Sequence, residues 1–132
     1  MGDRRGEGRT TNNLGAICEV QGDFVKARQY YQKGYATIAE IGDLWGESAG
    51  LSNLGLVSYR LGDFPAAWEF NERSIQLCRK IALWGGEAAG LSNLGRLAYQ
   101  KGQLTPFYFR YPTCLLCSID PGQQPEGIIF VR

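Results

Sequence analysis

The chain has 132 residues, 14 of them lysine or arginine against 13 aspartate or glutamate, and it contains no histidine. A net charge of +1 without a basic run argues against a dedicated nucleic-acid or acidic-membrane partner. The missing histidine removes the commonest general base and every triad built on it, and no apolar stretch approaches the roughly 18 residues of a membrane span.

The first residues, MGDRRGEGRTTNN, lack the apolar core of a secretory signal. They also fail the myristoylation pattern, because Gly6 stands where a serine or threonine is required. A soluble, cytoplasmic protein is therefore expected. Thr11, Leu14, Gly15 and Cys18 then follow the i, i+3, i+4, i+7 rule and predict a first helix. Gly22 is placed to end it in a left-handed conformation, and Asp23 to cap the next one. The second pattern runs Phe24, Ala27, Tyr30, Tyr31, Gly34, Tyr35, Ile38, Ile41. Its spacing persists for nearly twenty residues, so the second helix is expected to be the longer.

The two patterns then return. Leu51, Leu54, Gly55 and Ser58 copy the first; Gly62 and Asp63 copy the stop and the cap; Pro65 falls in the first turn of the following helix, where its missing N–H matters least. Phe64, Ala67, Phe70, Ser74, Ile75, Cys78 and Ile81 copy the second pattern. The stretches GDLWGE and LWGGE close the units, and Leu91, Leu94, Gly95 and Ala98 begin a third, ending at Gly102. The heptapeptide AGLSNLG occupies both 49–55 and 89–95, a step of 40 (89 − 49), and Asn13-Leu14-Gly15 keeps that step. Catalytic motifs are not repeated at a fixed interval; units that stack on one another are. Each helix-interior glycine costs about 1 kcal/mol relative to alanine. Gly15 and Gly55 are expected to offset this by close approach to Ala27 and Ala67 where two helices cross.

These features predict an all-α, helix-turn-helix repeat solenoid of about two and a half repeats over 2–104, with units near 6–45, 46–85 and 86–104. The segment 105–132 departs from the repeat. Phe107 stands where Ala27 and Ala67 stood, and Pro112, Pro121 and Pro125 oppose a long helix. The side of the last helix bearing Leu91, Leu94 and Leu97 is then expected to lack its natural cover. Phe107, Tyr108, Phe109, Leu115 and Leu116 are candidates to fold back over it; self-association through that helix or a disordered tail are the alternatives.

Chemistry has little foothold. No phosphate-binding, dinucleotide-binding or nucleophile-elbow motif occurs. Cys18 and Cys78 sit in helical patterns as small buried residues, while Cys114 and Cys117 form a lone CxxC. A zinc site needs about four ligands, so no metal, no cofactor and no enzymatic activity is expected.

Paired helices with NLG…GDF…A resemble tetratricopeptide repeats, here of a long, 40-residue kind as in arrays of bacterial signalling proteins. One departure is that Cys18, Ser58 and Ala98 hold the place of the usual aromatic, while Tyr59 and Tyr99 come one residue later. The resemblance implies a right-handed superhelix whose concave wall, made by the first helices, holds a peptide or partner protein. On that wall it places Asn13, Asn53 and Asn93, one per unit, with Tyr59, Tyr99, Arg60 and Arg96. Leu14, Gly15, Gly22, Ala27, Leu54, Gly55, Gly62, Ala67, Leu94, Gly95 and Gly102 form the structural signature. The asparagines have two readings: a ladder for the backbone of an extended partner, since a carboxamide both donates and accepts, or bonds that hold neighbouring helices in register. A second functional reading is the sensor or autoinhibitory part of a larger signalling protein, such as a nucleotide-dependent regulator, cyclase or protease.

Overall fold

The computed structural model describes residues 3–102 and residue 110. Within 3–102 it is a run of five helices, α1 (Arg4–Val20), α2 (Phe24–Glu40), α3 (Leu44–Arg60), α4 (Phe64–Lys80) and α5 (Trp84–Gln100). Every helix has 17 residues, so the second helix of a pair is no longer than the first. Ile41 lies beyond α2 as its C-cap, and the Leu44-Trp45-Gly46 part of GDLWGE belongs to the first turn of α3. The cap sets both limits, and the apolar spacing running past them is a coincidence of the turn sequence.

Each reversal has the same construction. After α1, Gly22 adopts φ +81°, its N–H bonds to the Glu19 carbonyl at 3.0 Å, and the Asp23 N–H bonds to the Cys18 carbonyl at 2.9 Å. Those two bonds satisfy carbonyls left open by the helix end. The Asp23 carboxylate then accepts from the Lys26 N–H at 3.1 Å and starts α2. Gly62 and Asp63 repeat both devices between α3 and α4, where Pro65 occupies the first turn. Between α2 and α3 Gly42 adopts φ +70° with its N–H bonded to the Ala39 carbonyl at 3.1 Å, and the Asp43 carboxylate accepts from the Gly46 N–H at 3.1 Å. Between α4 and α5 the same turn is kept without its residues: Ala82 holds φ +56° and Leu83 makes no side-chain cap.

Contacts run in opposite directions along consecutive helices. Gly8 lies against Ile38 and Gly15 against Tyr31; Gly46 lies against Ile38 and Gly50 against Tyr35; Gly86 lies against Cys78 and Gly90 against Ile75. Rising numbers on one helix meet falling numbers on the next, so the five helices form an antiparallel succession. The middle helix shows how it is held. Gly50, Leu54 and Val57 of α3 turn towards the first pair, where Leu54 and Val57 join Cys18, Ala27 and Tyr31 in one core. Gly55 and Ser52 of α3 turn towards Asn71 and Ser74 of α4. A second core joins Ala67 and Ile75 to Leu91, Leu94, Leu97 and Ala98. Burial of one such side chain stabilises by about 1.5–3 kcal/mol.

Three expectations need correction. A Cβ on Gly15 would fall 2.8 Å from the Tyr31 ring, and one on Gly55 would fall 2.7 Å from the Asn71 amide. Gly15 does approach Ala27, whose carbonyl oxygen lies 3.3 Å from that Cβ, and it admits the Tyr31 ring as well; at Gly55 the neighbour is Asn71, one turn beyond the expected Ala67. Leu91, Leu94 and Leu97 are not an uncovered side, because they belong to the core with Ala67 and Ile75. Leu14 does not share the burial of Leu54 and Leu94; it is 42% exposed. The proposed folding back of Phe107–Phe109 and Leu115–Leu116, and the Cys114–Cys117 pair, lie outside the described residues.

The two pairs are not identical inside. Gly34 of α2 leaves room for Asn12, whose Oδ1 a Cβ at position 34 would strike. One unit on, Ser74 replaces the glycine and Ser52 the asparagine, and their hydroxyls lie 3.2 Å apart. Gly34→Ser alone is expected to cost about 1–3 kcal/mol through overpacking. Adding Asn12→Ser recovers most of that loss in a double-mutant cycle read by urea unfolding; simple additivity would contradict the packing described. At the strained turn, Ala82→Gly is expected to raise the unfolding free energy by about 0.5–1 kcal/mol and Gly62→Ala to lower it by about 1 kcal/mol. Equal urea midpoints for the parent chain and both variants would show that these turns carry no strain.

Candidate partner-binding face

α3 packs against α2 on one side and α4 on another, and the side that remains is left to solvent; α1 and α5 carry equivalent sides. Along α3 that side carries Asn53, Leu56, Tyr59 and Arg60, half-buried except for the exposed Arg60. Along α5 it carries Asn93, Arg96, Tyr99 and Gln100, of which only Asn93 is half-buried. Along α1 it carries Asn13, exposed.

Between α3 and α5 a cleft is lined by Leu56, Tyr59, Asn93, Arg96 and Leu97 and floored by Gly55 and Asn71. Three of the residues singled out from the sequence, Tyr59, Asn93 and Arg96, therefore share one site. The Tyr59 ring is braced by Phe64, with centroids 5.7 Å apart and planes at 57°. Its hydroxyl accepts from Gln100 Nε2 at 2.7 Å, tying the end of α3 to the end of α5. Tyr99 is 67% exposed beside this bond.

The asparagines part company. Asn93 Nδ2 donates to Asn71 Oδ1 at 3.2 Å, and Asn71 Nδ2 donates to the Ala67 carbonyl at 2.8 Å. This chain links α5 to buried polar groups of α4, which is the register-holding role. Asn13 and Asn53 make no side-chain hydrogen bond among the described residues. Arg60 and Arg96 are exposed and take part in no ion pair there. By contrast, other cations are committed: Arg28 pairs with Asp63 at 3.2 Å, Arg79 with Glu87 at 2.6 Å and Arg5 with Asp43 at 3.7 Å.

Sequence reasoning missed Asn71, and it placed Tyr31 on the apolar stripe without its polar role. Asn71 floors the cleft, and the signal for it was a polar residue on the apolar stripe of α4, 40 positions beyond Tyr31. In the first pair, the buried Tyr31 hydroxyl donates to Glu19 Oε2 at 2.8 Å. Burial first, then the bond to Glu19 and its charge, push the phenol above its ordinary value of 10.0. The protonated phenol is thus favoured by folding, and its contribution is complete below pH 10 and lost as the pH rises beyond it.

Among the described residues no helix is long and apolar enough to cross a membrane, and no group of three or more potential metal ligands gathers. Residues 49–82, which run from the repeated heptapeptide in α3 to the turn after α4, match a family model described as Tetratricopeptide repeat. No curated protein matches the chain. Asn93→Ala is expected to destabilise by about 1–3 kcal/mol, because the buried Asn71 oxygen loses its donor. Asn13→Ala stays within about 0.5 kcal/mol. Thermal melts of the two variants separate these roles, and equal shifts would refute the division.

Proposed function

We propose that the chain, whose residues 49–82 match the tetratricopeptide repeat model, is a non-enzymatic protein-interaction scaffold of that family. Its partner is an extended peptide or a partner protein lying across the solvent side of α1, α3 and α5. The observation that supports this reading is the pool of uncommitted groups on that side. Among the described residues Asn13 and Asn53 have unused hydrogen-bonding capacity, Arg60 and Arg96 unused charge, and Tyr99 an exposed ring. The contacts among the described residues do not account for them.

The division of labour follows from chemistry. Asn13 and Asn53 pair with peptide groups of the partner whatever its side chains. Arg60 and Arg96 attract acidic groups, and Tyr59 and Tyr99 offer large apolar area with a polar tip. Asn93 acts indirectly, holding the cleft open by fixing α5 on Asn71. Each hydrogen bond contributes about 0.5–1.5 kcal/mol, so affinity comes from the sum along the face. The buried free thiols of Cys18 and Cys78 favour a reducing, cytoplasmic compartment. There the module serves signalling, as an adaptor or as the sensor part of a larger regulator.

The test is affinity capture followed by titration of the recovered partner against Asn13→Ala/Asn53→Ala and Arg60→Ser/Arg96→Ser chains. Each pair is expected to weaken binding roughly tenfold or more, ~1.4 kcal/mol, with the melting point held. Undiminished affinity in both would move the binding site elsewhere on the protein.

A further inference from the structure

The two intervals between the first helices are floored differently. Between α1 and α3 the Tyr31 ring, 2% exposed, occupies the space beside Gly15, and its hydroxyl is bonded to Glu19. One unit on, at the step of 40, the glycine is kept as Gly55, while Asn71 replaces the tyrosine and Tyr59 the glutamate. An amide reaches less far than a phenol. The cleft between α3 and α5 therefore keeps a pit over Asn71, with room of about 10 Å³. That is the space of one water-sized group.

The chemistry of the pit narrows what it can hold. Asn71 spends one of its two amide hydrogens on the Ala67 carbonyl, and Asn93 spends one of its two on Asn71 Oδ1. Among the described residues Asn93 Oδ1 accepts no hydrogen bond. Donors and an acceptor thus remain in reserve at the floor. Leu56, the Tyr59 ring and Leu97 make the walls apolar, and the exposed Arg96 stands beside them. A methyl group leaves the amides unanswered, an ammonium meets the charge of Arg96, and a carboxylate or amide exceeds the room. A hydroxyl has the size of water and both donates and accepts.

We propose that Asn71 sets the specificity of the groove by making this pit the seat of one hydroxyl, that of a serine or threonine in the bound partner. The inference rests on the partner-binding reading of the face and adds to it the side chain that anchors the partner. The Tyr31 floor offers no such seat, so the partner lies over the α1–α3 interval and inserts at the α3–α5 interval. A single insertion point fixes its register. The chain's own Arg110 is engaged elsewhere, paired at 3.1 Å with Glu72 of α4, which does not line the cleft.

The probe is a random heptapeptide library displayed on phage and panned against the full chain. Peptides enriched on the parent chain are expected to share a serine or threonine at one position, and alanine there to weaken binding about tenfold. Asn71→Tyr with Tyr59→Glu copies the filled floor of the first interval and is expected to erase the preference at that position alone. Should this pair not melt cooperatively, Asn71→Ala deepens the pit and is expected to move the preference to leucine or isoleucine. Enriched peptides that share no serine or threonine, or a preference that the variants leave unchanged, overturn the proposal while the partner-binding reading stands. A library from which nothing is enriched removes that reading and the proposal with it. Thr105→Ala, Thr113→Ala and Ser118→Ala together are expected to leave peptide affinity unchanged. A gain in affinity would show that a hydroxyl of this chain fills the pit, and the assignment to a partner would fall.

Discussion

Close backbone approach on two sides of the same helix is the constraint from which the rest of this molecule follows. α3 meets α2 through Gly46 and Gly50 and meets α4 through Gly55. A helix so placed has no room for side chains at those points, and glycine's cost of about 1 kcal/mol per site is offset by the large residues admitted opposite. Tyr35, Ile38 and Asn71 enter the gaps left for them. This explains why a heptapeptide with two glycines recurs unaltered, since AGLSNLG holds one glycine for each neighbour. The solvent side of the helix has no such duty, and it is where the chain keeps its uncommitted polar groups.

Turns and helices were legible in the sequence because each is fixed by a local rule. Gly22 and Gly62 end helices in the left-handed conformation, and Asp23 and Asp63 cap the next ones. Helix length was less legible, since apolar spacing ran past α2 into Ile41 while the cap ended it earlier. Which residue each glycine admits was also hidden. Ala27 and Tyr31 both lie on the apolar stripe of α2, and only three-dimensional placement shows that Tyr31 fills the space at Gly15. The exposure of Leu14 could not be read from its own unit, because burial at that position is supplied by the helix before it.

The candidate face was legible in part for a similar reason. Periodicity placed Asn13, Asn53 and Asn93 at equivalent positions, but equivalence of position is not equivalence of bonding. Asn93 reaches Asn71 because the unit before it has a short amide there. Asn53 has Tyr31 at the corresponding place in the preceding unit, and that hydroxyl is already bonded to Glu19. A repeated letter thus performs different work according to a letter 22 positions earlier (93 − 71, 53 − 31).

The paired difference between Asn12 with Gly34 and Ser52 with Ser74 reaches beyond stability. Similar neighbours in one polypeptide run the risk of mistaken pairing as the chain collapses, each second helix having two plausible first helices to choose from. Opposing Asn12 to Ser74 crowds the contact, and opposing Ser52 to Gly34 leaves it hollow. Two small exchanges between helices thereby label which helix belongs with which, a proofreading of partnership written into the contact itself.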